Sequence, residues 1–102
     1  MRVHLIRQKA VENHISGDAD SMIAFKIWLS LIKVADWDKP DDILTTFGSA
    51  SFLGTGSALI AFQITGSAYQ LIASHDFTKT TIHLTVGWIG TTSEYIKLFL
   101  NR

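Results

Sequence analysis

The stretch at residues 80–89, TTIHLTVGWI, decides the fold class. Its apolar side chains alternate with small or polar ones, which is the pattern of a β-strand that buries one face. The apolar positions predicted to share that face are Ile82, Leu84, Val86 and Trp88. Shorter strands are predicted at residues 58–64 and 69–74, with a turn signal at Gly66-Ser67 between them. Together the three strands predict an antiparallel meander.

Helices are predicted in the more charged first half of the chain. Residues 9–15 form a short helix, and Asp18 offers an N-cap for a longer helix that runs to about residue 34. The predicted buried stripe of that longer helix is Ile23, Ile27, Trp28, Leu31 and Ile32. A third helix is expected to begin at Pro40, because proline is well suited to the first turn. A last short helix is predicted over residues 91–100.

These elements and a weak first strand at residues 2–6 predict an α+β fold. The N-terminal helices are expected to pack on one face of a mainly antiparallel sheet, and residues 1–102 are expected to form a single domain. The side chains expected to be largely buried are Trp28, Leu31, Phe47, Phe62, Leu71, Leu84 and Trp88.

Composition narrows the classes of function. A hydrophobic fraction of 47% excludes a disordered chain, and the lack of cysteine excludes disulfides and thiolate metal sites. Nine basic residues balance nine acidic ones, which does not indicate a strongly basic nucleic-acid binder and favours self-association. Residues 49–92 carry only Lys79 and Asp76 besides two histidines. A two-fold homodimer through this nearly uncharged sheet face and its edge strand is therefore expected.

Metal ions and cofactors are not expected. No metal-ligand motif is formed by the four histidines, His4, His14, His75 and His83. The segment Gly54-Thr55-Gly56 lacks the lysine of a phosphate loop and is interpreted as a hairpin connection. No signal peptide and no apolar stretch of membrane-spanning length is visible, so we expect a cytoplasmic protein with no membrane partner.

The open face of the predicted sheet and its edge are the most informative polar surface. The side chains expected there are Thr65, Ser67, Gln70, His83, Thr85, Thr92 and Tyr95. Composition alone favours an ordinary solvent-facing sheet over a binding site.

Several segments occur in an order that resembles a known family. Ala35-Asp36-Trp37 is followed by Pro40, and a late Gly90-Thr91-x-x-Glu94-Tyr95 completes the pattern. Further similar segments are MRVHLI at residues 1–6 and IWLS at residues 27–30. The chain resembles the HigB family of bacterial toxin–antitoxin toxins, within the RelE-like superfamily. The resemblance implies a RelE-like fold, ribosome-dependent cleavage of mRNA without a metal, and a helix-turn-helix antitoxin as partner.

The chain departs from the family pattern at basic positions. The family hairpin commonly reads Phe-Asn-Ile-x-Gly-Asn-Lys-Tyr-Arg, whereas residues 62–70 read FQITGSAYQ. Ala68 and Gln70 therefore stand in the lysine and arginine positions. Gly87 replaces a basic residue, and Thr92 stands where the late motif usually has histidine. Because cations bind phosphates, these changes predict weak RNA affinity.

The resemblance suggests a set of site residues and two interpretations. Glu94, Tyr95 and His83 are the catalytic candidates, since cleavage needs an acid–base pair. The candidates for RNA binding are Gln63, Tyr69, Gln70 and Thr92. In one interpretation the chain is an mRNA endoribonuclease that still works, though weakly. In the other it has lost catalysis, by divergence or redesign, and acts as a binding, self-associating or scaffold module. The neutral positions favour the second.

Overall fold

The longest strand, Thr81–Thr91, lies inside the sheet, because it pairs with a neighbouring strand on each side. The computed structural model describes residues 1–54 and 57–100. The strands are β1 Arg2–Ile6, β2 Ser51–Phe52, β3 Leu59–Gln63, β4 Tyr69–Phe77 and β5 Thr81–Thr91. The helices are α1 Gln8–Ile15, α2 Ala19–Val34, α3 Asp41–Thr46 and α4 Thr92–Tyr95, and a π-helical turn, Ile96–Leu100, follows α4.

The five strands form one mostly antiparallel sheet in the order β1-β5-β4-β3-β2. Only β1 is parallel to its neighbour, with Val3 opposite Ile82 in β5. The predicted α+β fold and the meander of β3, β4 and β5 are confirmed. The two-residue strand β2 was not predicted, because two residues carry no alternation to detect. Of the loop predicted at residues 54–56, Thr55 and Gly56 lie outside the described residues.

The main hydrophobic core lies between helices α1 to α3 and one face of the sheet. It joins Val11 of α1, Trp28 of α2 and Ile43 of α3 to Phe62 and Leu84 of the sheet. Phe62, Leu71 and Leu84 were predicted to be buried, and each is at most 1% exposed. Burial on this scale is the dominant stabilising contribution in a domain of this size.

Aromatic rings around Trp28 form the centre of this core. The indole stacks on Phe25 and Phe47, with ring centroids 5.7 and 5.4 Å apart, and meets the edge of Phe62 at 5.3 Å. Aromatic pairs at such distances add to the free energy gained from buried area. The predicted burial of Trp28 and Phe47 is confirmed.

The predicted buried stripe of α2 is wrong in part. Ile23, Ile27 and Leu31 are 59%, 61% and 40% exposed, so the expectation that Leu31 is largely buried is also wrong. The buried residues of α2 are Ser21, Ala24, Phe25, Trp28, Leu29 and Ile32. Because apolar residues occur around most of this helix, its periodicity allowed two faces. The face with Phe25 and Trp28 is buried because the facing rings of Phe47 and Phe62 are aromatic partners for it.

A β-bulge at Gly87 reverses the alternation of β5, so that the side chains after it point to the opposite faces of the sheet. Ala73 pairs with Val86 and Ile72 pairs with Trp88, which leaves Gly87 unpaired between them. The extra residue moves Trp88 to the sheet face opposite Val86. Trp88 is therefore half-buried on the outer face, and its predicted place in the main core is wrong. There it packs with the second hydrophobic cluster, Ala61, Ile72 and Tyr95.

We predict that Trp28→Ala lowers the free energy of unfolding by about 3–5 kcal/mol, because the substitution leaves a cavity between three aromatic rings. Ile27→Ala, at the neighbouring but exposed position, should change it by about 0.5 kcal/mol or less. Urea denaturation of both variants measures the difference. Equal losses for the two variants would contradict the assignment of faces on α2.

Candidate functional site

The candidate site lies where β5 ends and α4 begins. Thr91 is the N-cap of α4, and its hydroxyl oxygen accepts a hydrogen bond of 3.2 Å from the backbone N–H of Glu94. In return, the backbone N–H of Thr91 donates to Oε1 of Glu94 at 2.8 Å. This capping box satisfies two backbone donors at the helix start and holds the Glu94 carboxylate in one place.

Glu94 is ionised at neutral pH. The backbone N–H and the hydroxyl of Thr91 lower the pKa of its carboxyl group, and the positive charges of His14 and Lys97 lower it further. A carboxylate that is ionised and exposed can accept a proton. The geometry therefore fits Glu94 as a base rather than as an acid.

His14 and Tyr69 lie at the same end of the sheet. Tyr69, the first residue of β4, pairs with Thr91 at the end of β5. His14, in the last turn of α1, meets the Tyr69 ring edge-on, with ring centroids 5.7 Å apart. The His14 imidazole therefore contacts the Tyr69 ring, and its charge acts on the Glu94 carboxylate across the end of the sheet. His14 was not among the predicted site residues, because only the path of α1 across the sheet places it here.

The turn between β3 and β4 is held against the start of α4. The backbone N–H of Thr92 donates to the carbonyl oxygen of Ala68 at 2.7 Å, and its hydroxyl donates to the same oxygen at 3.2 Å. Gln70 pairs with Gln63 across the two strands. Of the predicted RNA-binding residues, Tyr69 and Thr92 therefore lie beside the site. Strand alternation places the two glutamines on the opposite face from Tyr69, where Gln70 pairs with Gly90 beside the Glu94 carboxylate.

Gly90 permits a close approach at this edge. A Cβ atom at this position would lie 2.5 Å from Cζ2 of Trp88 and 3.1 Å from Oε1 of Glu94. Any side chain there would displace the indole or the carboxylate. The Gly-Thr pair before α4 is thus needed for both the cap and the position of Glu94.

The two other catalytic candidates are placed differently. Tyr95 is 7% exposed and packs on Phe99, with ring centroids 5.5 Å apart, beneath the outer face of the sheet. His83 pairs with His4 near the beginning of β5. Seven residues of extended strand lie between His83 and Thr91, so the two are about 25 Å apart. The structure does not bring His83 and Glu94 together.

Positive charge is sparse at this end of the sheet. Lys79 lies in the turn between β4 and β5, at the other end of both strands. The cations that act on Glu94 are His14 and Lys97. Ala68, in the β3–β4 turn, carries no charge at the position where the family pattern has lysine. A phosphate at the site would therefore meet few charges.

The described part of the chain has no arrangement of three histidine, cysteine or acidic side chains suited to a metal ion. His75, for example, lies edge-on to Phe52 and Phe77, and burial lowers its pKa.

Among residues 1–54 and 57–100, no helix has the length and hydropathy needed to cross a bilayer.

Residues 21–98 match the model of the HigB_toxin family, described as the RelE-like toxic component of a toxin–antitoxin system. The matched span contains Tyr69, Thr91 and Glu94 but not His14. No curated protein matches the chain significantly.

We predict that Thr91→Val raises the pKa of Glu94 part of the way to the ordinary value for glutamate, because it removes the hydroxyl but keeps the backbone donor. Thr92→Val is the matched control, since the hydroxyl of Thr92 bonds to Ala68 instead. Carbon-detected NMR titration of the Glu94 carboxyl group measures both. Identical titration curves for the two variants would show that the capping box does not set this pKa.

Proposed function

Because the chain belongs to the HigB family of RelE-like toxins, we propose that it is a ribosome-dependent mRNA endoribonuclease that inhibits translation. In this proposal a cognate helix-turn-helix antitoxin neutralises it in the cytoplasm. The cleavage step is weaker than the family pattern implies, because the positions that would bind phosphate are neutral.

The observation that carries this proposal is that His14, in contact with Tyr69, acts electrostatically on Glu94 at one end of the sheet. Metal-free cleavage of RNA needs a base for the 2′-hydroxyl, an acid for the leaving 5′-oxygen and donors for the phosphate. Glu94 fits the base, because its carboxylate is exposed and ionised, and its lowered pKa makes it a weak one, in keeping with weak cleavage. His14 fits the acid, because it lies at the same end of the sheet and histidine is the side chain most often used for proton transfer. The ring of Tyr69 offers a surface on which a base can stack.

The remaining candidates have supporting parts in this proposal. Gln63, Gln70 and Thr92 position the RNA backbone through neutral hydrogen bonds, which are weaker than the charge-assisted bonds of lysine or arginine. Tyr95 holds the start of α4 through its contacts with Trp88 and Phe99. His83 takes no part in proton transfer with Glu94, because the strand between them is too long.

A second candidate function is a catalytically inactive toxin that retains partner binding. The observation that favours it is the neutral surface around Ala68 and Gln70, which gives a phosphate little to bind. Both candidates keep the fold and the antitoxin partner implied by the family. They differ only in whether RNA is cut.

Induced expression in a bacterium separates the two candidates. We expect slow growth arrest, with mRNA cut at defined positions within codons when the ends are mapped by primer extension.

Glu94→Gln keeps an acceptor for the backbone of Thr91 but removes the base, and it should lower cleavage at least tenfold. His14→Gln should do the same, whereas His4→Gln, at the other end of the sheet, should leave cleavage unchanged. Unimpaired growth and intact mRNA with folded protein would favour the inactive toxin.

Restoring charge should strengthen RNA binding. We predict that Ala68→Lys, Gln70→Arg, Gly87→Lys and Thr92→His together raise affinity for single-stranded RNA. The salt dependence of log K should steepen by about 0.7 for each added phosphate contact. Thr80→Lys adds charge at the distant β4–β5 turn and should have little effect. Fluorescence anisotropy at several salt concentrations measures both, and tight, strongly salt-dependent binding by the unaltered chain would contradict the argument.

A further inference from the structure

Four aliphatic side chains form an exposed ridge along α2. Ile23, Ile27, Leu31 and Val34 are 59%, 61%, 40% and 75% exposed. Their spacing places them on one side of the helix, over about 16 Å of its length. Single exposed aliphatic residues are ordinary on a protein surface, but a continuous row marks a place where another molecule docks.

A cleft runs along one side of this ridge. Its volume is about 260 Å³, and Ile27 and Leu31 of the ridge form part of its wall together with Trp28. The indole Nε1 of Trp28 is buried and has no hydrogen-bond partner among the described residues. Buried donors in native proteins are nearly always paired. Trp28 thus lines the cleft and also has a buried donor without a partner among the described residues.

A second cleft lies on the other side of the ridge, between α1 and α2. Its volume is about 440 Å³, and its wall includes the two lysines of this helix, Lys26 and Lys33. Across the cleft, Glu12 of α1 accepts a hydrogen bond from the side chain of Gln8. Residues 21–34 contain no acidic residue. The outward side of α2 is thus an aliphatic ridge with a basic flank.

We propose that the α2 ridge is the docking surface for the antitoxin, and that the antitoxin covers it with an acidic amphipathic helix. This proposal rests on the proposed function, which supplies the partner. Apolar residues spaced three and four apart on the partner helix pack along Ile23, Ile27 and Leu31, as in other helix-in-groove complexes. Its carboxylates pair with Lys26 and Lys33.

Charge favours this occupant over a second copy of the chain. In a two-fold dimer across α2 the same surface meets itself, so the lysine flank of one copy would face the lysine flank of the other, with one Glu12 per copy against two lysines. Like charges placed together across an interface oppose association. An acidic helix removes that repulsion and buries the same aliphatic area.

The ridge is also close to the candidate RNA site. In the N-terminal half of α2, the side chain of Ala24 lies 3.7 Å from the position of a Cβ at Gly66, in the β3–β4 turn. The same turn is bonded through Ala68 to Thr92. A helix seated on the ridge would end beside the turn that borders the site, which provides a route to neutralisation.

The test measures binding of the purified chain to the antitoxin of its own system by isothermal titration calorimetry. Ile27→Ser with Leu31→Ser should weaken binding at least tenfold. Leu44→Ser with Leu59→Ser, at two positions that are 38% and 44% exposed elsewhere, is the matched control and should change binding less than twofold. Thermal unfolding of each variant checks that the fold is kept.

The charge part of the proposal has its own variant. Lys26→Glu with Lys33→Glu should weaken binding at least tenfold and reduce its dependence on salt. Wild-type affinity in both ridge variants would overturn the proposal. So would a homodimer in sedimentation velocity that the ridge variants abolish while antitoxin binding is unchanged. A dimer that Thr85→Lys abolishes instead, with wild-type affinity in the ridge variants, would place self-association on the sheet face and also overturn it.

Cleavage of mRNA on induced expression distinguishes this proposal from the proposed function. If the ridge variants still cut mRNA but the antitoxin no longer protects the cells, both hold. If they cut mRNA and the antitoxin protects as well as before, the docking surface is wrong and the proposed function stands. If the unaltered chain neither cuts mRNA nor binds the antitoxin, both fail.

Discussion

One extra residue in β5 determines how the candidate site is built. Gly87 has no partner in β4, so the alternation of side chains along β5 is reversed at that point. Trp88 therefore lies on the outer face of the sheet. Trp88 there gives Tyr95 and Phe99 an apolar surface, which holds the C-terminal helical segment. Without the bulge, Trp88 would lie in the main core, and α4, with Glu94, would have no such anchor.

Local sequence patterns predicted the strands of the sheet well, whereas features that depend on contacts between distant residues were missed. The alternation in β5 and the spacing of Phe62 and Leu71 were enough to predict the three-stranded meander, because each of its strands buries one face. The bulge could not be predicted, since Gly87 fits an unbroken alternation. His14 could not be placed in the site either, because its contact with Tyr69 depends on the path of α1 over the sheet.

The face of α2 shows why periodicity alone was not sufficient. A helix that is apolar on most sides fits a core in more than one rotation. The choice depends on partners distant in sequence: Trp28 lies between the rings of Phe25, Phe47 and Phe62, and no equivalent partners face Ile27. Once the aromatic side is buried, the aliphatic side is exposed, so the core packing itself creates the ridge.

The proposed RNA cleavage and the proposed antitoxin binding use separate parts of this chain. The neutral positions at the RNA site are a turn residue, Ala68, a residue of the outer sheet face, Gln70, and the first residue of α4, Thr92. None of them belongs to the main core, so the loss of charge there costs little packing energy. The ridge lies on α2, whose buried side is part of that core. A toxin built in this way can lose phosphate binding gradually and still present an intact surface to its antitoxin, because the core that supports the ridge is unaffected.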